Sequence, residues 1–373
     1  MRIVCAMHLV RYPLGGHLWH HLQYLIGLRR LGHDVTAFEH YGWPGSCYDP
    51  VADAMTSDPS YGIAFLREQL EPHGLDRWTY IAEDGTAHGL SREELAQACA
   101  EADLLINLSN VTWASEATLA RRRVLVDTDP VFTQLGGHGA AALEDHHVHF
   151  TFAERVHHRG CDMPTAGVRW LPTRQPVVLD LWPVAHGGDD GPLSTVGNWR
   201  PYEEASHTGR VYGHKDREFG PYLTLPSHVA PPLEAKVNAP GDVRQALRDH
   251  GWRVGDPLDV TMSAGDYQAY LRASLGEFSV AKHAYVSTRC GWFSDRSAGY
   301  LASGRPVVLQ DTGYSAVLPT GEGLLPFTSP GECVAQVERL AADPGRHRRA
   351  ARALAEEHFE AGRVLGDLLE RAL

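Results

Sequence analysis

Within its first forty residues the chain writes out one complete strand, helix and strand, and that unit restricts the fold more than any other feature. Residues 3–7 form a short apolar β run, a turn holds Pro13, Gly15 and Gly16, an amphipathic helix covers residues 17–31, Gly32 closes it, and residues 34–39 form the next strand. Parallel neighbours need such a crossover, and it turns right-handed, so a parallel sheet is predicted. Further β runs at 104–108, 124–127 and 148–152, with a helical stretch at 91–100, extend it to a doubly wound sheet.

The rhythm breaks at AHGGDDGPLS, residues 185–194, which is rich in Gly and Asp. It restarts with strands at 193–197 and 233–237 and helices near 243–250 and 267–274, before a helix-rich tail from about Pro330 to Leu373. A chain of 373 residues is comfortable as two domains, each with its own core. The expected fold class is therefore α/β, with domains at 1–186 and 193–373 and a last helix returning to the first domain.

Composition excludes several function classes. The net charge of −12 argues against a nucleic-acid partner, so an anionic ligand must be met locally. No run reaches membrane-span length, and MRIVCAMHLV reads as a strand rather than a leader. Six cysteines stand far apart without a C-x-x-C pair, which suggests neither zinc nor disulfides and implies a reducing cytoplasm.

The segment CGWFSDRSAGYLASGRPVVLQDTGY, from Cys290 to Tyr314, places a turn before a helix and another after a buried strand. Ser294 or Asp295 can cap the helix, whose free amide groups then face residues 290–293 as an anion site. Gly304 can end it in a left-handed conformation, and residues 307–309 form the strand. Asp311, Thr312, Gly313 and Tyr314 follow at the carboxyl end, where open α/β sheets bind ligands.

Three stretches carry a family resemblance. GGHLWHHLQYLIGLRRLGHDVTAFE looks like the Gly-containing loop, first helix and second strand of the GT-B glycosyltransferases. YLASGRPVVLQDTGY is similar to their E-A-x-A-x-G-x-P-V-V and following turn, and GEGLLPFTSPGECVAQVERLAADPGRHRRAARALAEEHF to their tail. The likeness spans nearly the whole chain. It implies two facing Rossmann-like domains with a deep cleft, a nucleoside-diphosphate sugar bound by the second domain, a small-molecule or glycan acceptor bound by the first, and no metal or other cofactor. One departure stands out: two glutamates, eight residues apart in many retaining members, are replaced by Gly291 and Gly299. That leaves two alternatives on the same fold, a non-catalytic nucleotide-sugar-binding protein and a nucleotide-sugar epimerase. An oxidoreductase is disfavoured because no G-x-G-x-x-G follows the first strand.

On this resemblance Trp292, Phe293 and Ser294 shape the first donor turn and Thr312, Gly313 and Tyr314 the second, with Asp295, Arg296, Gln310 and Asp311 as polar substitutes. The leaving diphosphate needs cations, for which Arg200, Lys282 and Lys215 are candidates. An inverting reaction also needs a base. His17 opens the first helix directly after Gly16; the helix dipole would keep it neutral, and His21 shares its flank while His20 faces away. Asp127 and Asp129, at a strand end before Pro130, are candidate acceptor contacts along with Gly16 and His21. The loop aromatics Trp19, Tyr41, Trp43, Trp113 and Phe132 are candidates to stack on an acceptor. His17 with His21, and the cluster His146, His147 and His149, lack a third metal ligand at a recognisable spacing.

Overall fold

The computed structural model describes residues 1–136 and 142–373. The opening unit forms as strand β1 (Arg2–Ala6), helix α1 (Gly15–Arg30) and strand β2 (Asp34–His40), with β1 and β2 parallel from Arg2↔Asp34 to Ala6↔Phe38. Five further parallel-sheet strands and an antiparallel edge complete the sheet: β3 (Trp78–Ile81), β4 (Ala87–Gly89), β5 (Leu104–Leu108), β6 (Arg123–Asp127), β7 (Val148–Thr151) and β8 (Trp170–Pro172). The order is β8-β7-β6-β5-β1-β2-β3-β4, with only β4 antiparallel to its neighbour. Strand β5 is buried along its whole length because helices and loops cover both faces, as a parallel sheet requires. The strands β3, β4 and β8 are too short to show a period, and the sequence reading passes over them.

The second sheet has six parallel strands: β9 (Leu193–Asn198), β10 (Leu233–Asn238), β11 (Arg253–Gly255), β12 (Gly276–Ser279), β13 (Val307–Gln310) and β14 (Leu324–Phe327), ordered β11-β10-β9-β12-β13-β14. In both sheets the order reverses beside the first strand of the domain, which creates a crevice at the strands' carboxyl ends. Helices α2 (Ala264–Ala273), α3 (Asp295–Ala302) and α4 (Ala361–Ala372) matter most for the site. Ser294 caps α3 by accepting a hydrogen bond from the Arg296 N–H, and Gly304 beyond its end has φ +69°.

Helix α1 begins two residues earlier than predicted. Gly15 and Gly16 lie inside its first turn rather than in a loop, and the reason is the second domain. A Cβ on Gly15 would sit 2.2 Å from the Ser263 carbonyl oxygen, and one on Gly16 would sit 2.9 Å from the Tyr267 ring. Twelve of the sixteen α1 residues are buried, since the sheet, α2, α3 and α4 surround the helix. Helix α4 leaves the second sheet and packs on α1, where Gly27 admits Leu365, while Arg122 Nε donates to the Ala372 carbonyl at 2.6 Å.

Candidate functional site at the domain junction

The carboxyl ends of both sheets meet around the first turn of α1. His17 stands 4.8 Å, ring to ring, from His8, which follows β1, and 4.9 Å from His21 one turn along; His21 in turn lies 4.9 Å from His20. Burial pushes the His17 pKa down to about 4, with His20 adding to the shift, so the imidazole is neutral at physiological pH. Burial, and not the helix dipole invoked from sequence, is the main cause. The His17 Nε2 atom is out of solvent and has no hydrogen-bond partner, and neither ring nitrogen of His21 has one.

His20 does not face away. It turns its Nε2 to the Ser109 hydroxyl at 3.3 Å and its Nδ1 towards Asp295 of the second domain at 4.0 Å. The helical wheel misplaces it because a helix buried on all sides has no outward face.

These imidazoles make the fold acid-sensitive. The unfolded histidine titrates near 6.5, whereas His17 in the fold does so near 4 and His146 near 3, both mainly through burial. Between those values the unfolded chain binds more protons, so stability falls as pH drops from about 6.5 towards 4. His17 alone accounts for on the order of 3 kcal/mol. Glu154, pushed up to about 7 by burial, pulls the other way between pH 4.5 and 7, and Asp127, also raised by burial, pulls with it, but these are two groups against His17, His20, His21 and His146, all shifted down. The melting temperature is expected to drop markedly from pH 7 to pH 5; a flat profile in calorimetry would mean that these rings are solvated.

The two turns of the 290–314 segment hold each other. Gly291 N–H donates to the Thr312 carbonyl at 2.9 Å, and the Thr312 hydroxyl donates to the Trp292 carbonyl at 2.6 Å. Both turns also receive the first domain. Arg155 N–H donates to the Cys290 carbonyl at 2.9 Å, and its side chain fills the space a Cβ would need on Gly291 (φ +81°) and on Gly313 (φ +100°). Gly299, on α3, faces the buried Trp182 ring, which would stand 3.0 Å from its Cβ. The family glutamates are therefore absent where Arg155 and Trp182 close the domains together. A Gly299→Glu variant is expected to lose about 1–3 kcal/mol to overpacking alone, and more from the buried carboxylate; a urea midpoint equal to that of the parent would refute the packing account.

A second junction lies 127–132. Asp129 receives both a two-oxygen salt bridge from Lys282 Nζ, at 2.8 and 2.9 Å, and the hydroxyls of Tyr202 and Tyr285. The rings of Phe132, Tyr202 and Tyr285 surround the ammonium at 4.9, 4.7 and 5.4 Å. Thus Lys282 and Asp129, read from sequence as donor and acceptor contacts, bind each other across the domains. Asp127 is fully buried and caps its own turn, accepting from Thr151 at 2.6 Å, Gln134 at 2.8 Å and the Asp129 N–H at 3.0 Å. Trp292 stacks on Tyr285 at 4.3 Å and donates to the Thr128 carbonyl.

Other predicted donor residues divide into two groups. Tyr314 and Phe293 belong to the core, with the Tyr314 hydroxyl on the Leu309 carbonyl and Phe293 against Phe359. Asp311 caps its turn through the Gly313 N–H, and Arg200 forms an exposed pair with Glu203. Arg296, by contrast, is half-buried beside the buried Glu277 at 2.6 Å, donates to the Val196 carbonyl and reaches the Ser279 hydroxyl, to which Lys215 also donates at 3.3 Å. Burial, then Arg296, depresses the Lys215 pKa well below the lysine range. Two basic side chains thus stand near one carboxylate beside a small pocket lined by Thr195, Gly197, Asn198, Trp199, Lys215 and Phe219.

No family model and no curated protein matches the chain. Solved structures do. An alpha-glucosyltransferase in complex with UDP aligns over 100% of this chain and 99% of its own, at TM-score 0.59 and 10% identity. AviGT4, a glycosyltransferase involved in avilamycin A biosynthesis, aligns over 100% and 97% at TM-score 0.58 and 13% identity. Anabaena Alr3699/HepE in complex with UDP and glucose aligns over 100% and 99% at TM-score 0.57 and 12% identity. The chain has the GT-B fold. Its two Rossmann-like domains and their order agree with the architecture that the GT-B resemblance implies. Among the described residues no helix is long and apolar enough to cross a membrane, and no three His, Cys, Asp or Glu side chains are grouped as a metal site would need.

Proposed function

We propose that this GT-B protein is a glycosyltransferase that moves a sugar from a nucleoside diphosphate to a hydroxyl acceptor. The observation that carries the reading is the pairing of two basic side chains in the second domain: Arg296 bonds the carboxylate of Glu277, and Lys215, on the Ser279 hydroxyl that Arg296 also reaches, feels that same carboxylate. Burial beside Arg296 disfavours the ammonium form of Lys215, and a diphosphate would restore it by supplying the missing negative charge. The structural neighbours that hold UDP in the same fold support that assignment.

In the reaction, Nε2 of His17 accepts the acceptor's hydroxyl proton, the freed oxygen bonds to the anomeric carbon, and the bond from that carbon to the diphosphate oxygen breaks. The electron pair leaves with the diphosphate, whose charge Lys215 and Arg296 meet. A side-chain base acting opposite the leaving group implies inversion. Gly291 and Gly299 do not argue for lost turnover, because domain packing accounts for both. All six cysteines are unpaired, in keeping with a cytoplasmic setting.

The test is a thermal-shift panel of UDP, dTDP, GDP, ADP and CDP. A ligand at one hundred times its Kd adds about 2.7 kcal/mol to the folded state. One diphosphate is expected to raise the melting temperature, and Lys215→Ala to remove the rise. A flat panel on the parent protein would sink the proposal.

A further inference from the structure

Between the surface and His17 the first domain lays down a row of aromatic rings. Tyr48, in the hairpin of Cys47–Asp49 and Ala54–Thr56, stacks on Tyr12 with centroids 6.2 Å apart and planes 20° apart. Tyr12 meets the His17 ring edge-on at 6.2 Å. Tyr48, Tyr12 and His17 are all partly exposed, and the His17 Nε2 at the inner end of the row is out of solvent. Around the hairpin Trp43, Val51 and Met55 are 50%, 74% and 48% exposed, an unusual concentration of open apolar side chains beside a cleft.

The carboxylates of this lip outnumber its cations, which are Arg244, paired with Asp256 at 3.6 Å, and Arg11, over the Trp43 ring at 5.3 Å. Asp49 accepts the Val51 and Ala52 N–H groups, and Asp53 accepts the Tyr48 hydroxyl at 2.6 Å. Burial, then Asp53, Asp256 of the second domain and Asp49, raise the Tyr48 pKa, so the three carboxylates act on one ring. Arg11, whose charge acts on Tyr12, is fully buried and paired with Glu39 at 2.9 Å. A glycan would need free hydrogen-bonding side chains here; ring faces and a negative rim suit a different molecule.

We infer that the acceptor is a planar aromatic compound, uncharged or cationic, that stacks along Tyr48 and Tyr12 and presents a phenolic hydroxyl to His17. This rests on the glycosyl-transfer reading above. The phenolic proton passes to Nε2 of His17, the phenolic oxygen bonds to the anomeric carbon, and the diphosphate leaves with its electron pair. Base strength agrees: burial makes His17 a weak base, and a weak base removes a proton from a phenol of pKa about 10 far more readily than from an aliphatic alcohol. The same rim disfavours DNA and other polyanions.

The experiment uses the full chain with the nucleotide sugar that the diphosphate panel selects and three acceptors: 2-naphthol, its anionic analogue 6-hydroxy-2-naphthoate, and cellobiose. Transfer, followed by mass spectrometry, is expected to favour 2-naphthol in kcat/KM by about tenfold or more over each of the others. Tyr12→Ala should raise the KM for 2-naphthol about tenfold, Tyr12→Phe should restore it, and Asp256→Asn should narrow the gap between the two naphthols. Equal or better transfer to cellobiose or the naphthoate, or an unchanged KM in Tyr12→Ala, would overturn the assignment. If a diphosphate stabilises the protein and donor is slowly hydrolysed, yet 2-naphthol is never glycosylated, the acceptor class is wrong while glycosyl transfer stands. If no diphosphate binds, both fall.

Discussion

Alanine in place of His17 is expected to lower kcat by about 10²–10⁴-fold, the range over which a positioned proton acceptor contributes. The nucleotide thermal shift should survive in the variant, because Lys215 and Arg296 lie in the other domain and keep their contacts. The parent enzyme adds a second signature. A base that titrates near 4 stays unprotonated through the weakly acidic range, so the acid limb of kcat/KM is expected well below the 6.5 of an ordinary imidazole. Measurements below pH 6 need a short assay, since the same buried histidines weaken the fold there. Full turnover in His17→Ala, with normal nucleotide binding, would remove His17 as the base.

Lys282→Ala is expected to cost up to about 3–5 kcal/mol, the penalty for removing one partner of a fully buried ion pair, since this pair is partly buried. The variant removes the ammonium that Asp129 holds beside two tyrosine hydroxyls, at a point where the carboxylate is 17% exposed. The pair spans the two domains, so the loss should also separate them. A lower denaturant midpoint, together with a larger radius of gyration in small-angle scattering, is the expected result. The double variant Lys282→Met/Asp129→Asn should recover part of the stability, because both charges of the pair are removed together. A single variant as stable and as compact as the parent would show that the junction carries no interdomain load.

The distinction between what could be read along the chain and what could not follows the range of the interactions. The β1–α1–β2 unit was legible because an apolar strand, a 3.6-residue stripe and a closing glycine are local patterns, and a parallel sheet follows from them. The cap at Ser294 and the left-handed Gly304 are equally local. His17 was legible as a candidate from its place beside Gly15 and Gly16, although the helix boundary was off by two residues. His20 was not, since the wheel assumes an outer face that α1 lacks once α2, α3 and α4 enclose it.

The partners of each charged group required the tertiary structure. Nothing near Lys282 in the chain announces Asp129, 153 residues away, or the three rings around its ammonium. Arg155 and Trp182 carry no motif, yet they occupy the space where the family's glutamates would stand opposite Gly291 and Gly299. Tyr12 and Tyr48 become a row only when the hairpin folds over the loop before α1. The sequence by itself determined two doubly wound α/β domains and one candidate base, because periodicity and turn chemistry act over a few residues. Which charges are neutralised was decided by packing between segments more than a hundred residues apart, and which ring faces stay open by a hairpin folding over a loop earlier in the same domain, where burial sets the energy of each group.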